Sequence, residues 1–194
     1  MPFRDPLSRR VRQCACLLAA VLAVLLVTAG TACAQELLLS NLVLNNFEGK
    51  IRVRFGVEPT NVERIRQALL EGERLALVCK ARLSSKRDYI WNKEVSSARY
   101  ESVVHRLKGG DFAVSLPGQG AVADRNLATL FRKAWNEILI DLGPWDRLER
   151  GETYVVSLEL SLVRLDVSPW LKKSLFFWPF DAAPPVSYQL DFTY

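Results

Sequence analysis

The chain has 194 residues, 49% of them hydrophobic, and a formal net charge of +5. Four arginines and one aspartate of that balance lie in the first 34 residues, leaving 22 basic and 20 acidic side chains in the remainder. So even a charge is too balanced to predict nucleic-acid binding on electrostatics alone, and the length suits one domain behind a targeting segment.

The first segment has three parts. Arg9, Arg10 and Arg12 are basic, Cys16–Gly30 is an almost unbroken apolar run, and Ala32-Cys33-Ala34 places small residues where a signal peptidase reads them. This predicts a secretory leader over 1–34, cleavage after Ala34, and a periplasmic or secreted product starting at Gln35. The apolar run is shorter than the ~20 residues that span a bilayer. Two alternatives stay open: a lipoprotein acylated at Cys33, which lacks the usual Leu three places earlier, and an uncleaved inner-membrane anchor. After cleavage Cys79 is the remaining thiol. It occupies an apolar strand position and is expected to be a small buried hydrophobe.

Leu37–Phe47 is a strand rich in Leu and Val, with turn residues at Asn45-Asn46 and Glu48-Gly49. Ile51, Val53, Phe55 and Val57 alternate with Arg52, Arg54 and Gly56, so the two segments make a hairpin. Beyond Pro59, Thr60 or Asn61 caps a short helix that buries Val62, Ile65, Ala68 and Leu69 and stops at Gly72. Leu75, Leu77, Cys79, Ala81 and Leu83 mark a third strand, and Ser84–Asp88 a polar turn. Tyr89-Ile90-Trp91 opens the next strand, with a bend at Lys93-Glu94 and a continuation through Leu107. Gly109-Gly110 turns into Phe112–Leu116.

Pro117–Gly120 is expected to be loop, and Asp124 to cap a long amphipathic helix. Leu127, Leu130, Phe131, Ala134, Trp135, Ile138 and Leu142 form its apolar stripe, which Gly143-Pro144 ends. A strand over Tyr154–Val163 follows Gly151. Ser168–Pro185 is an aromatic flap, and Val186–Tyr194 a last strand closing a sheet edge.

Hairpins in succession favour antiparallel pairing with helices to one side. The predicted class is therefore α+β: mainly antiparallel strands, as one sheet or a two-sheet sandwich, with two amphipathic helices in a single exported domain over 35–194. Strand, strand, helix, Gly, strand recurs in 37–83 and 96–165, which suggests an internal repeat. Too few alternating strands of ~10 residues, and the two helices, argue against an outer-membrane barrel, although the alternation ending in Tyr194 resembles the last strand of one.

The search for catalytic chemistry finds little. His105 is the single histidine, so no multi-histidine metal site forms, and no Gly-x-Ser-x-Gly elbow or Walker loop is present. Asp141, Asp146 and Glu149 are expected to flank a helix end in solvent. No cofactor, metal or catalytic residue is assigned. Two surfaces are candidates for interaction. Arg52 and Arg54 share one strand face, and Arg74, Lys80 and Arg82 another; if those strands are neighbours, a positive stripe forms. Trp170, Phe177 and Trp178, beside Lys172-Lys173, suit a partner groove or a membrane interface. The predicted function is an envelope-associated, non-enzymatic module binding an unidentified protein partner. The alternative is a peripheral membrane protein using Trp170–Phe180.

Several stretches resemble the bacterial domain-of-unknown-function family 4390. They are Gln67–Gly72 before a strand, Arg87–Asn92, Tyr100–Leu107, the helix around Leu127–Leu139, and Gly151–Tyr154 before a long strand. The resemblance covers nearly all of Leu37–Tyr194. It implies an exported protein without a known activity and brings no site residues. The family's Leu-Pro step after the long strand is replaced here by Val167-Ser168-Pro169-Trp170-Leu171.

The leader makes a prediction of its own. Intact mass of the chain from each cell fraction of its host should give a soluble species beginning at Gln35; an acylated Cys33 or a retained Met1 would place it on a membrane instead.

Overall fold

Alternating apolar residues dominate this chain, and they pair as strands wherever they occur. The computed structural model describes residues 37–87, 91–165 and 181–194, with backbone alone over 181–184. In chain order the elements are β1 (Leu37–Phe47), β2 (Lys50–Pro59), α1 (Val62–Leu70), β3 (Leu75–Ser85), β4 (Lys93–Arg106), β5 (Phe112–Leu116), β6 (Gly120–Asp124), α2 (Leu127–Trp135), β7 (Ile138–Pro144), β8 (Thr153–Arg164) and β9 (Asp181–Thr193), with a single 3₁₀ turn at Trp145–Arg147. The fold is α+β. Among the described residues β1-β2-β7 form a three-stranded sheet and β6-β5-β4-β3-β8-β9 a six-stranded one, every neighbouring pair antiparallel.

The two sheets share one core. Ile51, Val53, Phe55 and Val57 of β2 bury the side facing Leu75, Leu77, Cys79, Ala81 and Leu83 of β3 and Tyr154–Leu162 of β8. Both helices add to it. Asn61 caps α1 by accepting from the Arg64 N–H at 3.2 Å, and Ile65, Ala68 and Leu69 are its buried side. In α2 the Asn126 side-chain carbonyl accepts from the Thr129 N–H at 3.1 Å, and Leu127, Leu130, Phe131, Ala134 and Trp135 are buried. α2 touches β2 of one sheet and β5 and β6 of the other, and so ties them together.

The end of α2 corrects the sequence expectation. The helix stops at Trp135, and Ile138–Pro144 is strand β7, with Phe55 opposite Ile138 and Val53 opposite Ile140. The spacing Trp135, Ile138, Leu142 fits a helix, but Ile138, Ile140 and Leu142 fit a strand equally well. Pairing with β2 wins because it buries all three and gives the backbone a ladder partner. Gly143, at φ +98°, turns the chain out of β7 rather than ending a helix. The cap differs too. Asp124 ends β6 and accepts from the Asn126 N–H at 2.9 Å, while Asn126 itself is the cap.

Smaller differences follow from glycine and proline. Gly118 and Gly120 have φ of +72° and +83°, so the expected loop over 117–120 is a tight turn between β5 and β6. The bend expected at Lys93-Glu94 is a register shift, with Leu83 opposite Ser96 but Ser84 opposite Glu94. The last strand begins at Asp181, before Pro184 and Pro185; its place on a sheet edge tolerates both. In the stretches read as a repeat, hairpin β1–β2 lies in the smaller sheet and hairpin β4–β5 in the larger, with β6 and β7 added.

Trp135 anchors the junction of helix and strand. Its ring is fully buried and stacks on Phe131 at 4.4 Å between centroids, and its indole N–H donates to the buried Ser102 hydroxyl of β4 at 2.9 Å. Trp135→Phe keeps most of the volume and removes the donor, and should cost about 1–2 kcal/mol; Trp135→Ala should cost about 3–5 kcal/mol. Urea unfolding measures both, and a Trp135→Phe variant as stable as wild type would show that the hydrogen bond contributes nothing.

Candidate interaction surface

The smaller sheet turns one face to the core and one to solvent. An irregularity in β1 sets which residues face out. Asn41 has φ +51°, and the register shifts between Ser40 and Val43, so Leu38 points outward before it and Val43 and Phe47 after it. Leu39, Leu42 and Leu44 pack against the core. On β2 the outward residues are Lys50, Arg52 and Arg54, and on β7 Leu139 and Asp141 stand opposite Arg54 and Arg52. This single face holds four exposed large apolar side chains: Leu38, Val43, Phe47 and Leu139, at 43%, 36%, 46% and 51% of full exposure.

Its charges are already matched. Lys50 pairs with Asp141 at 3.0 Å, Arg54 with Glu137 at 3.5 Å, and Arg52 with Glu48 at 3.8 Å. The Arg52 guanidinium also lies 4.4 Å over the Phe47 ring. A shallow groove of about 320 Å³ borders the face, lined by Asn41, Val43, Arg54, Phe55, Asn136 and Glu137. Gly56, next to Phe55, is closely packed. A Cβ there would stand 2.5 Å from the Ser40 hydroxyl and 2.8 Å from the Asn136 carbonyl oxygen, so no larger residue fits without a shift.

The predicted positive stripe does not form. Arg52 and Arg54 belong to β2 of the smaller sheet, whereas Arg74 precedes β3, and Lys80 and Arg82 lie on β3 of the larger. β2 and β3 are not neighbours. Lys80 pairs with Glu159 at 2.9 Å and Arg82 with Glu94 at 3.1 Å. They line an open trough of about 480 Å³ with Ser97, Ser157 and Ser187. Trp170, Phe177 and Trp178 lie outside the described residues, as does the leader over 1–34.

The side chains with reactive potential are placed quietly. Cys79 is buried in β3, and burial pushes its thiol up to about 12, so it stays protonated. His105 is half-buried on β4. Asp141 is a strand residue rather than a helix-end one. Its carboxylate accepts from the Gly143 N–H at 2.8 Å and faces Lys50; that N–H foremost, with Lys50 and Arg52, holds its pKa below the ordinary carboxylate value. Among the described residues no three His, Cys, Asp or Glu side chains converge to hold a metal, and no helix is long and apolar enough to cross a membrane.

Sequence reasoning found Arg52 and Arg54 but missed the apolar residues around them. Leu139 was hidden by the helical reading of its segment. Leu38 was hidden by the strand's general richness in Leu, since nothing in the sequence marks the irregularity at Asn41.

The family described as "Domain of unknown function (DUF4390)" matches residues 34–190. No curated protein and no solved structure matches the chain.

Because the Asp141 pKa is lowered in the fold, its contribution to stability is present above the ordinary carboxylate pKa and is lost as pH falls through the lowered one. Asp141→Asn should cost at most about 1 kcal/mol at neutral pH, since the carboxylate is partly in water. The gap to wild type should close as the pH falls through that lowered value. Unfolding curves across pH check this; a gap that persists in acid would assign the loss to packing.

Proposed function

The chain belongs to the DUF4390 family, a domain of unknown function, and on that premise we propose an exported, envelope-associated module that binds a protein partner through the outer face of the three-stranded sheet. The observation that carries this is the gathering of exposed Leu38, Val43, Phe47 and Leu139 on one face. Exposed apolar side chains interspersed with locally paired charges are compatible with the mixed composition of a protein interface. The local cations are committed to Glu48, Glu137 and Asp141, which favours a neutral protein surface over an anionic lipid. Arg52 held over Phe47 supplies a preordered anchor of the kind that dominates interface energetics. Export rests on the sequence of the leader.

A second reading is peripheral membrane contact through Trp170, Phe177 and Trp178. It is supported by the ends of that segment. The Leu165 N–H bonds the Arg74 carbonyl at 2.9 Å, and Asp181 stands opposite Val163, so both ends meet at one end of the larger sheet, beside exposed Arg74.

Photo-crosslinking in the host from position 43 tests the first reading. The double variant Phe47→Ser, Leu139→Ser should lower the crosslinked partner by about tenfold or more, leave the circular dichroism spectrum unchanged, and leave liposome flotation unchanged. Arg52→Glu with Arg54→Glu should act in the same direction. Unchanged crosslinking would remove the proposal, and lost flotation in Trp178→Ala with Phe177→Ala would favour the membrane.

A further inference from the structure

The two sheets have four edge strands between them, and three are blunted in ways that discourage strand addition. β1 is broken by its irregularity at Asn41, and its Leu39 N–H is taken by the Tyr188 hydroxyl of β9 at 3.2 Å. β6 has five residues and packs beside α2. β7 has seven and runs close to β3 and β4. β9 differs. From Val186 to Thr193 it pairs with β8 in unbroken register, and among the described residues it has no neighbour on its other side.

Which backbone groups face outward follows from the ladder. The Tyr194 N–H bonds the Glu152 carbonyl. Antiparallel pairs alternate between bonded and non-bonded, so Phe192, Leu190 and Tyr188 exchange bonds with β8. The N–H and C=O groups of Ser187, Gln189, Asp191 and Thr193 therefore point away from the sheet. Pro184 and Pro185 set the limit of this free run at one end.

We propose that β9 is a dimerisation edge, on which Val186–Thr193 of a second copy adds antiparallel to form a continuous sheet of twelve strands. The sequence of the edge is self-complementary. A two-fold pairing must match residues of the same face, so it centres on Gln189 or on Leu190. In the first case Tyr188 faces Leu190 and Ser187 faces Asp191. In the second Tyr188 faces Phe192 and Gln189 faces Asp191. Neither places like charges opposite each other, since Asp191 is the sole charge of the run and is paired with Lys86 at 2.9 Å. Leu190, 36% exposed at the lip of the sandwich, would be covered by the same residue or by Tyr188 of the second copy. This surface is separate from the face of the three-stranded sheet and stands without it.

The test is photo-crosslinking of the full chain in its host, with a photoreactive side chain at Gln189 and, as control, at Glu63 on exposed α1. A product at twice the chain mass from Gln189 and not from Glu63 is expected. Ser187→Pro removes an outward N–H without touching the β8 ladder and should lower that product by about fivefold or more, with the circular dichroism spectrum retained. Crosslinks from Gln189 only to a different protein, no product at all, or a product unaffected by Ser187→Pro would each overturn the proposal. If Ser187→Pro loses its sheet signal, Gln189→Lys with Asp191→Lys replaces it, crosslinked from Thr193, since it opposes like charges in either register.

Discussion

The Trp135 side chain holds the two layers of this protein in relation to one another. Its indole N–H reaches the Ser102 hydroxyl inside the core, and its ring lies on Phe131. A buried indole without a partner costs a hydrogen bond's desolvation, so helix α2 is fixed in rotation and in depth against β4. The chain immediately beyond it becomes β7, the third strand of the smaller sheet. One residue thus positions the helix on the larger sheet and delivers the next segment to the smaller one. The close approach of the Asn136 carbonyl to Gly56 belongs to the same junction, since only the missing Cβ leaves room for it.

The smaller sheet depends on that junction for its outer face as well as its place. β7 brings Leu139 and Asp141 alongside Arg54 and Arg52. Without it the outer face would be a two-stranded hairpin, which is marginal in water. With it, four apolar side chains surround charges that neutralise one another locally. Such a face gains little by meeting an ionic surface and gains most by covering its apolar area. The larger sheet has the opposite character. Its outer face carries a trough between paired charged side chains, and its distinctive feature is an edge, β9, rather than a face.

Much of the fold was legible because one face of nearly every strand is buried. Ile51–Val57, Leu75–Leu83 and Tyr154–Leu162 each carry an apolar residue at every second position, and a period of two sustained over that length fits a strand better than a helix. The turn at Gly109-Gly110 and the cap at Asn61 announced themselves through residues with few alternative roles. Two of the failures share a reason: a local pattern consistent with two arrangements. Ile138–Leu142 satisfied helix and strand periods together, and β2, distant in sequence, decided between them. The basic residues looked like one stripe because alternation tells which way a side chain points from its strand and nothing about which strand lies next to it.

By itself, the sequence determined the class of the fold, the direction in which most strand residues face, the buried and inert state of Cys79, and the family. These follow from local periodicity and from the cost of exposing apolar side chains, and they need no knowledge of partners along the chain. Only the tertiary structure decided that β2 and β3 lie in different sheets, that α2 gives way to β7, and that Leu38, Val43, Phe47 and Leu139 share the outer face of the smaller sheet. Each is a matter of pairing between distant segments, where the free energy comes from burial shared by both and is written in neither alone.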